Sequence, residues 1–205
     1  MAQASIGYID QSARSNWMRL RTLVFVRWFA ISGQIVTLIV AQYLYELNLA
    51  LVPCAIIIGM SVLTNIFALI IFPDNRRLSE TETVFTLLFD TLQLSLLLAF
   101  TGGLSNPFAL LILAPVTIAA TVLPTRSTLF LAVCSVVMIT IVSLIHLPLK
   151  TATGSLMDMP DVFLFGFWVA IVTGIIFISV YTRRVTTEMN SMSEALLATQ
   201  MALAR

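Results

Sequence analysis

The sequence predicts an all-α integral membrane protein, a bundle of six transmembrane helices with both termini in the cytoplasm. Apolar residues make up 59% of the 205 residues and charged residues 10%, where a soluble protein carries about 25%. The mean hydropathy is +1.00, so most of the surface is expected to face membrane lipid. Six apolar runs approach the roughly 20 helical residues that cross a hydrocarbon core of about 30 Å.

The composition also excludes several classes of protein. Eleven basic and ten acidic residues leave a net charge of +1, so the charge does not favour nucleic acid as a partner. Two cysteines and one histidine exclude a disulfide framework and a zinc site built from four Cys or His ligands. A haem with two axial histidines cannot be built from one chain that contains only His146. No metal site is therefore predicted.

Residues that favour turns separate the six predicted spans. Glu46 interrupts the apolar pattern after the first span, and a Pro-Asp-Asn-Arg-Arg segment at 73–77 follows the second. A Thr-Gly-Gly sequence at 101–103 ends the third, Pro124 follows the fourth, and a polar stretch at 148–160 follows the fifth. The predicted spans are residues 23–45, 49–72, 83–100, 107–123, 126–147 and 160–181.

The basic residues predict the orientation of the bundle. With an even number of spans, every basic residue except Lys150 falls on one side, which the positive-inside rule identifies as cytoplasmic. Residues 1–22 are then a cytoplasmic N-terminal segment, and 23–181 form the membrane domain. A cleaved signal peptide is not expected, because the first apolar run is too long and lacks a small-residue cleavage site.

Residues 182–205 are predicted to form a cytoplasmic signalling helix that leads toward a coiled coil. Its apolar side chains recur at alternating spacings of four and three, as in a coiled-coil seam. An amphipathic helix on the membrane surface is the alternative that this pattern leaves open. No Gly, Pro or polar cap ends the helix, so we expect the full protein to continue beyond it. The seam residues are Val185, Met189, Met192, Leu196, Thr199 and Leu203.

Asp90 is the one acidic residue well inside a predicted span, where a carboxylate costs about 2.5–3.5 kcal/mol on insertion scales. Asn65 lies at a similar depth on the preceding span, and Arg27 is expected to reach the same level from span 1. We predict that these residues couple spans 1 to 3, as a proton-sensitive group or as a static ion pair or hydrogen bond. Asp90 also keeps a small proton-coupled transporter open as an alternative function, although no convincing inverted repeat accompanies it.

Small residues form a stripe along span 6, where Gly166, Ala170 and Gly174 are spaced by four. Such a stripe lets two helix backbones approach closely. It favours either a homodimer seam that runs into the tail or close packing against another span of the same chain.

The remaining reactive side chains are predicted to be structural. Cys54 and Cys134 lie at different depths, so a disulfide between them is not expected, and both are interpreted as small apolar residues. His146, near the outer end of span 5, is expected to bond a backbone carbonyl rather than to act as a pH-responsive group.

The most unusual segment is Gly102-Gly103-Leu104-Ser105-Asn106-Pro107-Phe108, here called the heptapeptide, on the outer side between spans 3 and 4. Asn106 is a good N-cap and Pro107 suits the first helical position, so span 4 is predicted to begin here. Free amides at the helix start, close approach at the glycines and apolar walls suit a ligand with a flat ring and carbonyl acceptors, such as a quinone. A tight turn without a ligand is the alternative. Pro115 is expected to bend span 4 and to free a carbonyl.

The run from Gly102 to Pro124, GGLSNPFALLILAPVTIAATVLP, resembles the signature of the RegB/PrrB/ActS redox-responsive sensor histidine kinases. The resemblance covers essentially the whole chain. It implies a membrane redox sensor of a two-component system, in the inner membrane of a Gram-negative bacterium, that binds ubiquinone at the heptapeptide. The matching residues are Gly102, Gly103, Asn106, Pro107 and Phe108, with Leu104 and Ser105 at the variable positions.

The resemblance also implies partners and a kinase region outside this sequence. Family members continue into a dimerisation helix pair with a phosphoaccepting histidine, a redox-active cysteine and an ATP-binding domain, so a homodimer and a response regulator are implied. No catalytic residue is assigned within these 205 residues, and His146 lies on the wrong side to accept phosphate. Oxidised quinone is expected to restrain the kinase and a reduced pool to release it. A ligand-free membrane interaction subunit stays open as a further alternative.

Overall fold

A computed structural model of the chain describes residues 20–72, 78–156 and 159–203. This part of the chain forms six α-helices and two short 3-10 helices, with no β-strand among the described residues. The α-helices are α1 (Leu20–Tyr43), α2 (Leu51–Ile71), α3 (Glu80–Phe100), α4 (Leu113–Val122), α5 (Thr125–Leu144) and α6 (Asp161–Leu203). The 3-10 helices Gly103–Ser105 and Pro107–Ile112 lie between α3 and α4.

The predicted all-α membrane bundle is confirmed. Within the described ranges, five helices are long and apolar enough to cross a membrane. Their outward faces carry large apolar side chains such as Phe29 and Ile70, which are largely exposed. An apolar surface of this extent is what a protein embedded in lipid presents.

The fourth span has only 16 helical residues, but it is nearly long enough to cross the membrane. It consists of the six-residue 3-10 helix Pro107–Ile112 followed by the ten-residue α4. Because a 3-10 helix rises about 2.0 Å per residue and an α-helix about 1.5 Å, the two together extend about 27 Å. Pro115 lies in the first turn of α4, where a missing amide donor costs little. The helix type changes just before this proline, and the expected bend and freed carbonyl stay predictions.

Two helices extend beyond the starts of the predicted spans. α3 begins at Glu80 rather than at residue 83, because Ser79 and Glu82 form a capping box that satisfies the first amides. The described part of α1 already includes Leu20, ahead of the predicted start at residue 23. The predicted turn at 73–77 and the predicted N-terminal segment up to residue 19 lie outside the described residues.

α6 is a single uninterrupted helix of 43 residues. At about 1.5 Å per residue it extends about 65 Å, roughly twice the thickness of a hydrocarbon core. The predicted span 6 and the predicted tail helix are thus one element, and the helical prediction holds through Leu203. Residues 204 and 205 lie beyond the described part.

Apolar side chains fill the interior around α4, which packs against α3, α5 and α6. On the outer side of the bundle, Ile112 and Val116 meet Ile171 and Ile175 of α6, and all four are fully buried. A second cluster, at the end of the bundle where α1 starts, joins α1, α3, α4 and α5. Buried side chains of the fourth span are therefore in direct contact with α6 in the core of the bundle.

The outer end of the bundle is covered by two connecting loops that pair with each other. The amide of Asn48 donates to Lys150 O at 2.8 Å, and the amide of Ala152 donates to Glu46 O at 2.8 Å. Glu46 takes a positive φ of 50°, which ends the regular structure after α1. The paired loops place the segment after α5 directly beside the heptapeptide.

Candidate functional site

The two glycines of the heptapeptide are required by their backbone conformation and by their neighbours. Gly102 and Gly103 have φ values of 98° and 58°, which residues other than glycine rarely adopt. A Cβ on Gly102 would collide with the Leu149 side chain, and one on Gly103 would lie 2.5 Å from Cγ of His146. The loop after α5 therefore occupies the space beside these glycines, where a close approach of a ligand was expected. No ligand can approach the glycine backbone from that side.

Asn106 caps the fourth span as predicted, with Pro107 at the first helical position. Its Oδ1 accepts from the amide of Phe108 at 2.9 Å, and its backbone carbonyl accepts from the amide of Ala109 at 3.0 Å. The expectation of free amides at this helix start is wrong for these two residues, because Asn106 satisfies both. Its Nδ2 donates to Thr101 Oγ1 at 2.8 Å and to Thr101 O at 3.3 Å.

A cavity of about 620 Å³, here called the outer cavity, lies beside the heptapeptide. Its size is within the range of small-molecule sites, roughly 300–1,000 Å³. The second half of the heptapeptide lines it: Ser105, Asn106, Pro107 and Phe108. The first half does not line it, since Gly102 and Gly103 pack against the loop after α5 and Leu104 is buried in the core.

The opposite wall of the outer cavity comes from α1 and was missed by sequence reasoning. Most of this wall is apolar, and its polar groups are the hydroxyls of Thr37 and Tyr45. Thr37 is a polar residue within an apolar run, which is the only signal the sequence offers. The α1 segment and its following loop contribute Val36, Thr37, Leu38, Val40, Ala41, Tyr45, Leu47 and Leu49, while Leu149 and Met159 contribute from the other outer loop.

The predicted polar residues inside the membrane do come together, but in a different pattern. Arg27 Nε lies 2.8 Å from Asp90 Oδ1, and Arg27 Nη2 donates to Thr86 O at 3.3 Å. This ion pair connects α1 to α3, with Arg27 9% and Asp90 18% exposed. Asn65 is fully buried and donates from Nδ2 to Val24 O at 3.1 Å, which connects α2 to α1. Polar contacts thus join the first three spans, while a role for them in coupling stays a prediction.

Gln34 and Gln93 form a second α1–α3 contact that sequence reasoning missed. Gln93 Nε2 donates to Gln34 Oε1 at 2.9 Å, and both side chains are buried. Uncharged amides give a weaker sequence signal than Asp90, although both lie in apolar runs. Two narrow voids of about 30 and 60 Å³ adjoin this contact, and both include Gln34 in their lining. The first void shares Thr37 and Asn106 with the outer cavity.

The small-residue stripe of α6 divides between two environments. Gly166 and Ala170 are exposed, whereas a Cβ on Gly174 would lie 3.4 Å from Leu113 of α4. Packing within the chain therefore accounts only for Gly174.

The side chains predicted to be structural are found in structural positions. Nδ1 of His146 lies 3.0 Å from Val142 O, and because a carbonyl only accepts, Nδ1 carries the proton. Cys54 is fully buried next to apolar residues of α1 to α3, and Cys134 is half-buried. Both cysteines are free thiols.

Comparison with known proteins agrees with this architecture. Residues 10–159 match the family described as the PilS-like transmembrane domain. Two curated proteins named sensor histidine kinase RegB, from Cereibacter sphaeroides and from its strain ATCC 17023, are 48% and 49% identical to the chain over 199 residues. The aligned region is 97% of this chain and 43% of each relative, so the chain spans less than half the length of the curated relatives it matches. No solved structure matches the chain.

The family match covers more than half of the chain and includes the first five spans, the heptapeptide and both outer loops. The helices that cross the membrane and the named relatives agree that this is a multi-pass protein of the bacterial inner membrane. The chain belongs to the PilS-like transmembrane domain family.

Proposed function

We propose that the chain is the sensory unit of a membrane sensor histidine kinase, which binds ubiquinone in the outer cavity and reports the state of the quinone pool to a cytoplasmic kinase region. The observation that carries the proposal is the cavity of about 620 Å³ beside Ser105 to Phe108. The name of the relatives supports the kinase part, which lies outside the matched region.

The lining of the outer cavity fits the chemistry of a quinone. A quinone presents a flat ring and carbonyl acceptors, and the cavity combines apolar walls with a few polar side chains. Phe108 lines the cavity and is 43% exposed, so its ring is available for stacking. Val36 and Val40 on α1 are exposed toward the membrane, which leaves an apolar exit for an isoprenoid tail.

The position of the cavity suggests how its occupancy reaches the cytoplasm. Its floor is the start of the fourth span, and the side chains of that span pack against Ile171 and Ile175 of α6. A ligand that favours one packing of α4 against α6 would change the position of the whole long helix. It shifts this balance only by the difference between its affinities for the two packings.

The proposed signalling unit is a homodimer joined along α6. Gly166 and Ala170 are exposed on the membrane part of the helix, and Met189, Met192 and Leu196 of the predicted coiled-coil seam are exposed beyond it. A partner helix in heptad register would cover these side chains. The kinase region, with its ATP site and its response regulator, would then follow this helix.

The proposal is tested by titrating a short-chain ubiquinone into the purified chain in lipid nanodiscs. We expect saturable binding that is strongly weakened when Asn106→Ala and Phe108→Ala are combined. The matched control is Phe130→Ala, which removes an exposed ring of α5 that does not line the outer cavity. Equal binding by the double variant and the parent would exclude the outer cavity as the site.

A further inference from the structure

Two hydroxyl groups that line the outer cavity are free to bind a ligand. About half of the Thr and Ser side chains in the described α-helices donate to the carbonyl four residues earlier, which satisfies a hydroxyl inside a membrane. Thr37 in α1 and Ser105 in the heptapeptide have no hydrogen-bond partner among residues 20–72, 78–156 and 159–203. Hydroxyls that donate to the carbonyl four residues earlier include those of Thr64, Thr91, Ser95, Thr117, Ser135 and Thr140.

The other polar groups of the cavity wall are already engaged or face solvent. Asn106 Nδ2 donates to two oxygen atoms of Thr101, and the Thr101 hydroxyl donates to Leu97 O at 2.8 Å. The amide of Ser105 donates to Gly102 O at 3.0 Å. The phenol of Tyr45 belongs to a side chain that is 65% exposed, so the protein does not hold it in place as it holds Thr37 and Ser105.

We infer that the Thr37 and Ser105 hydroxyls are the hydrogen-bonding groups for the ligand in the outer cavity, and that a bound quinone connects α1 to the heptapeptide through them. The inference rests on the proposed function and names the side chains that would hydrogen-bond the quinone. A half-buried hydroxyl without a partner offers a donor at no cost to an existing bond. Asn106, in contrast, would have to give up a contact with Thr101.

The inference also concerns the redox form of the ligand. A hydroxyl both donates and accepts, so Thr37 and Ser105 fit the carbonyls of a quinone and the hydroxyls of a quinol. These hydroxyls donate to the carbonyls of a quinone, and they donate to or accept from the hydroxyls of a quinol. Thr37 lies one helical turn from Gln34, so the ligand and the Gln34–Gln93 contact would hold adjacent turns of α1.

The experiment compares near-isosteric variants in the quinone titration described above. Thr37→Val and Ser105→Ala each remove one hydroxyl, and we expect each to weaken binding about 2- to 10-fold. Thr37→Ser keeps the hydroxyl and should bind like the parent chain. Thr64→Val is the matched control, since its hydroxyl donates to Met60 O on α2 and does not line the outer cavity. Unchanged helix content and thermal stability confirm that each variant is folded.

Infrared difference spectra of the bound quinone give a second readout, which a purely structural role would not move. We expect a carbonyl stretch lowered by hydrogen bonding, and Thr37→Val or Ser105→Ala should return one component toward the unbonded frequency. If both variants bind and absorb like the parent while the Asn106 and Phe108 double variant binds weakly, the inference is wrong and the proposed function stands. If the parent chain does not bind quinone, both are wrong.

Discussion

Gln93 on α3 donates a hydrogen bond of 2.9 Å to Gln34 on α1, inside the membrane domain and between the outer cavity and the Arg27–Asp90 ion pair. Narrow voids adjoin this contact, and the amide pair and the ion pair add polar contacts to the apolar packing of α1 against α3. Interhelical hydrogen bonds of this kind contribute about 0.6–2 kcal/mol each.

The first prediction concerns this amide pair. Gln93→Leu alone leaves the Gln34 amide buried without its partner, and we expect a loss of about 1–3 kcal/mol in unfolding free energy. Gln34→Leu combined with Gln93→Leu should lose less than the sum of the single variants, because no buried amide is left unpaired. Reversible unfolding in mixed micelles measures this coupling. Strictly additive losses would show that the contact is not formed in the membrane.

The second prediction concerns the ion pair. Asp90→Ala leaves the largely buried Arg27 guanidinium without its counter-charge, which costs about 3–5 kcal/mol for buried pairs. Asp90→Asn keeps a hydrogen-bond acceptor and should lose less stability, and Arg27→Leu with Asp90→Leu should recover part of the loss. The same unfolding assay ranks the variants.

Asp90→Asn also separates the two roles predicted for this residue. In the proposed full-length kinase, reconstituted in vesicles, a static ion pair predicts that Asp90→Asn leaves any dependence of autophosphorylation on quinone and on pH unchanged. A proton-sensitive group predicts that the pH dependence is lost while the protein stays folded. Either result selects one role and rejects the other.

The third prediction concerns the glycines of the heptapeptide. Gly102→Ala combines an unfavourable φ of 98° with a collision against Leu149, and we expect a loss of more than about 1 kcal/mol in stability. Gly154→Ala is the matched control, since it has a φ of 82° with no atom near the added Cβ. The difference between the two variants in thermal unfolding isolates the collision. Leu149→Ala should restore part of the loss in the Gly102→Ala background, and an absence of rescue would contradict this packing.

The fourth prediction concerns the arrangement of α6 in the proposed homodimer. In a chain whose Cys54 and Cys134 are replaced by alanine, Gly166→Cys and Ala170→Cys should give disulfide-linked dimers under mild oxidation. Gly174→Cys should give far less, because Leu113 lies against that position. Gel electrophoresis of oxidised membranes measures the products. Equal or no crosslinking at all three positions would exclude this face as the seam.

The sequence predicts most of the fold because lipid imposes one strong requirement on each span. Runs of apolar residues bounded by Glu46, Pro124 and the polar outer stretch give the number and order of the helices. The exact helix ends depend on local hydrogen bonds such as the capping box of Ser79 and Glu82, which hydropathy does not register. The change from 3-10 to α-helix before Pro115 likewise depends on tertiary packing around α4.

The candidate site is only half predictable from the sequence. The heptapeptide is conspicuous because glycine, asparagine and proline each have a strong local conformational preference, and Asn106 and Pro107 take their predicted positions. The α1 wall of the cavity is not conspicuous in the sequence. Thr37 is a single polar residue, and Ser105, which lines the same cavity, is almost seventy positions away in the chain. The partners of Gly102 and Gly103 were missed for the same reason, because Leu149 and His146 come from another loop.

The continuity of α6 has a mechanical consequence. A helix of 43 residues without proline or an internal break has no obvious hinge, so a rotation of its outer half would be passed on toward its far end. One residue added near Thr182, where the helix leaves the lipid, would turn everything beyond it by about 100° and shift it by about 1.5 Å. Such a helix would therefore transmit a signal mainly as a rotation about its own axis, and much less as a change in distance from the membrane.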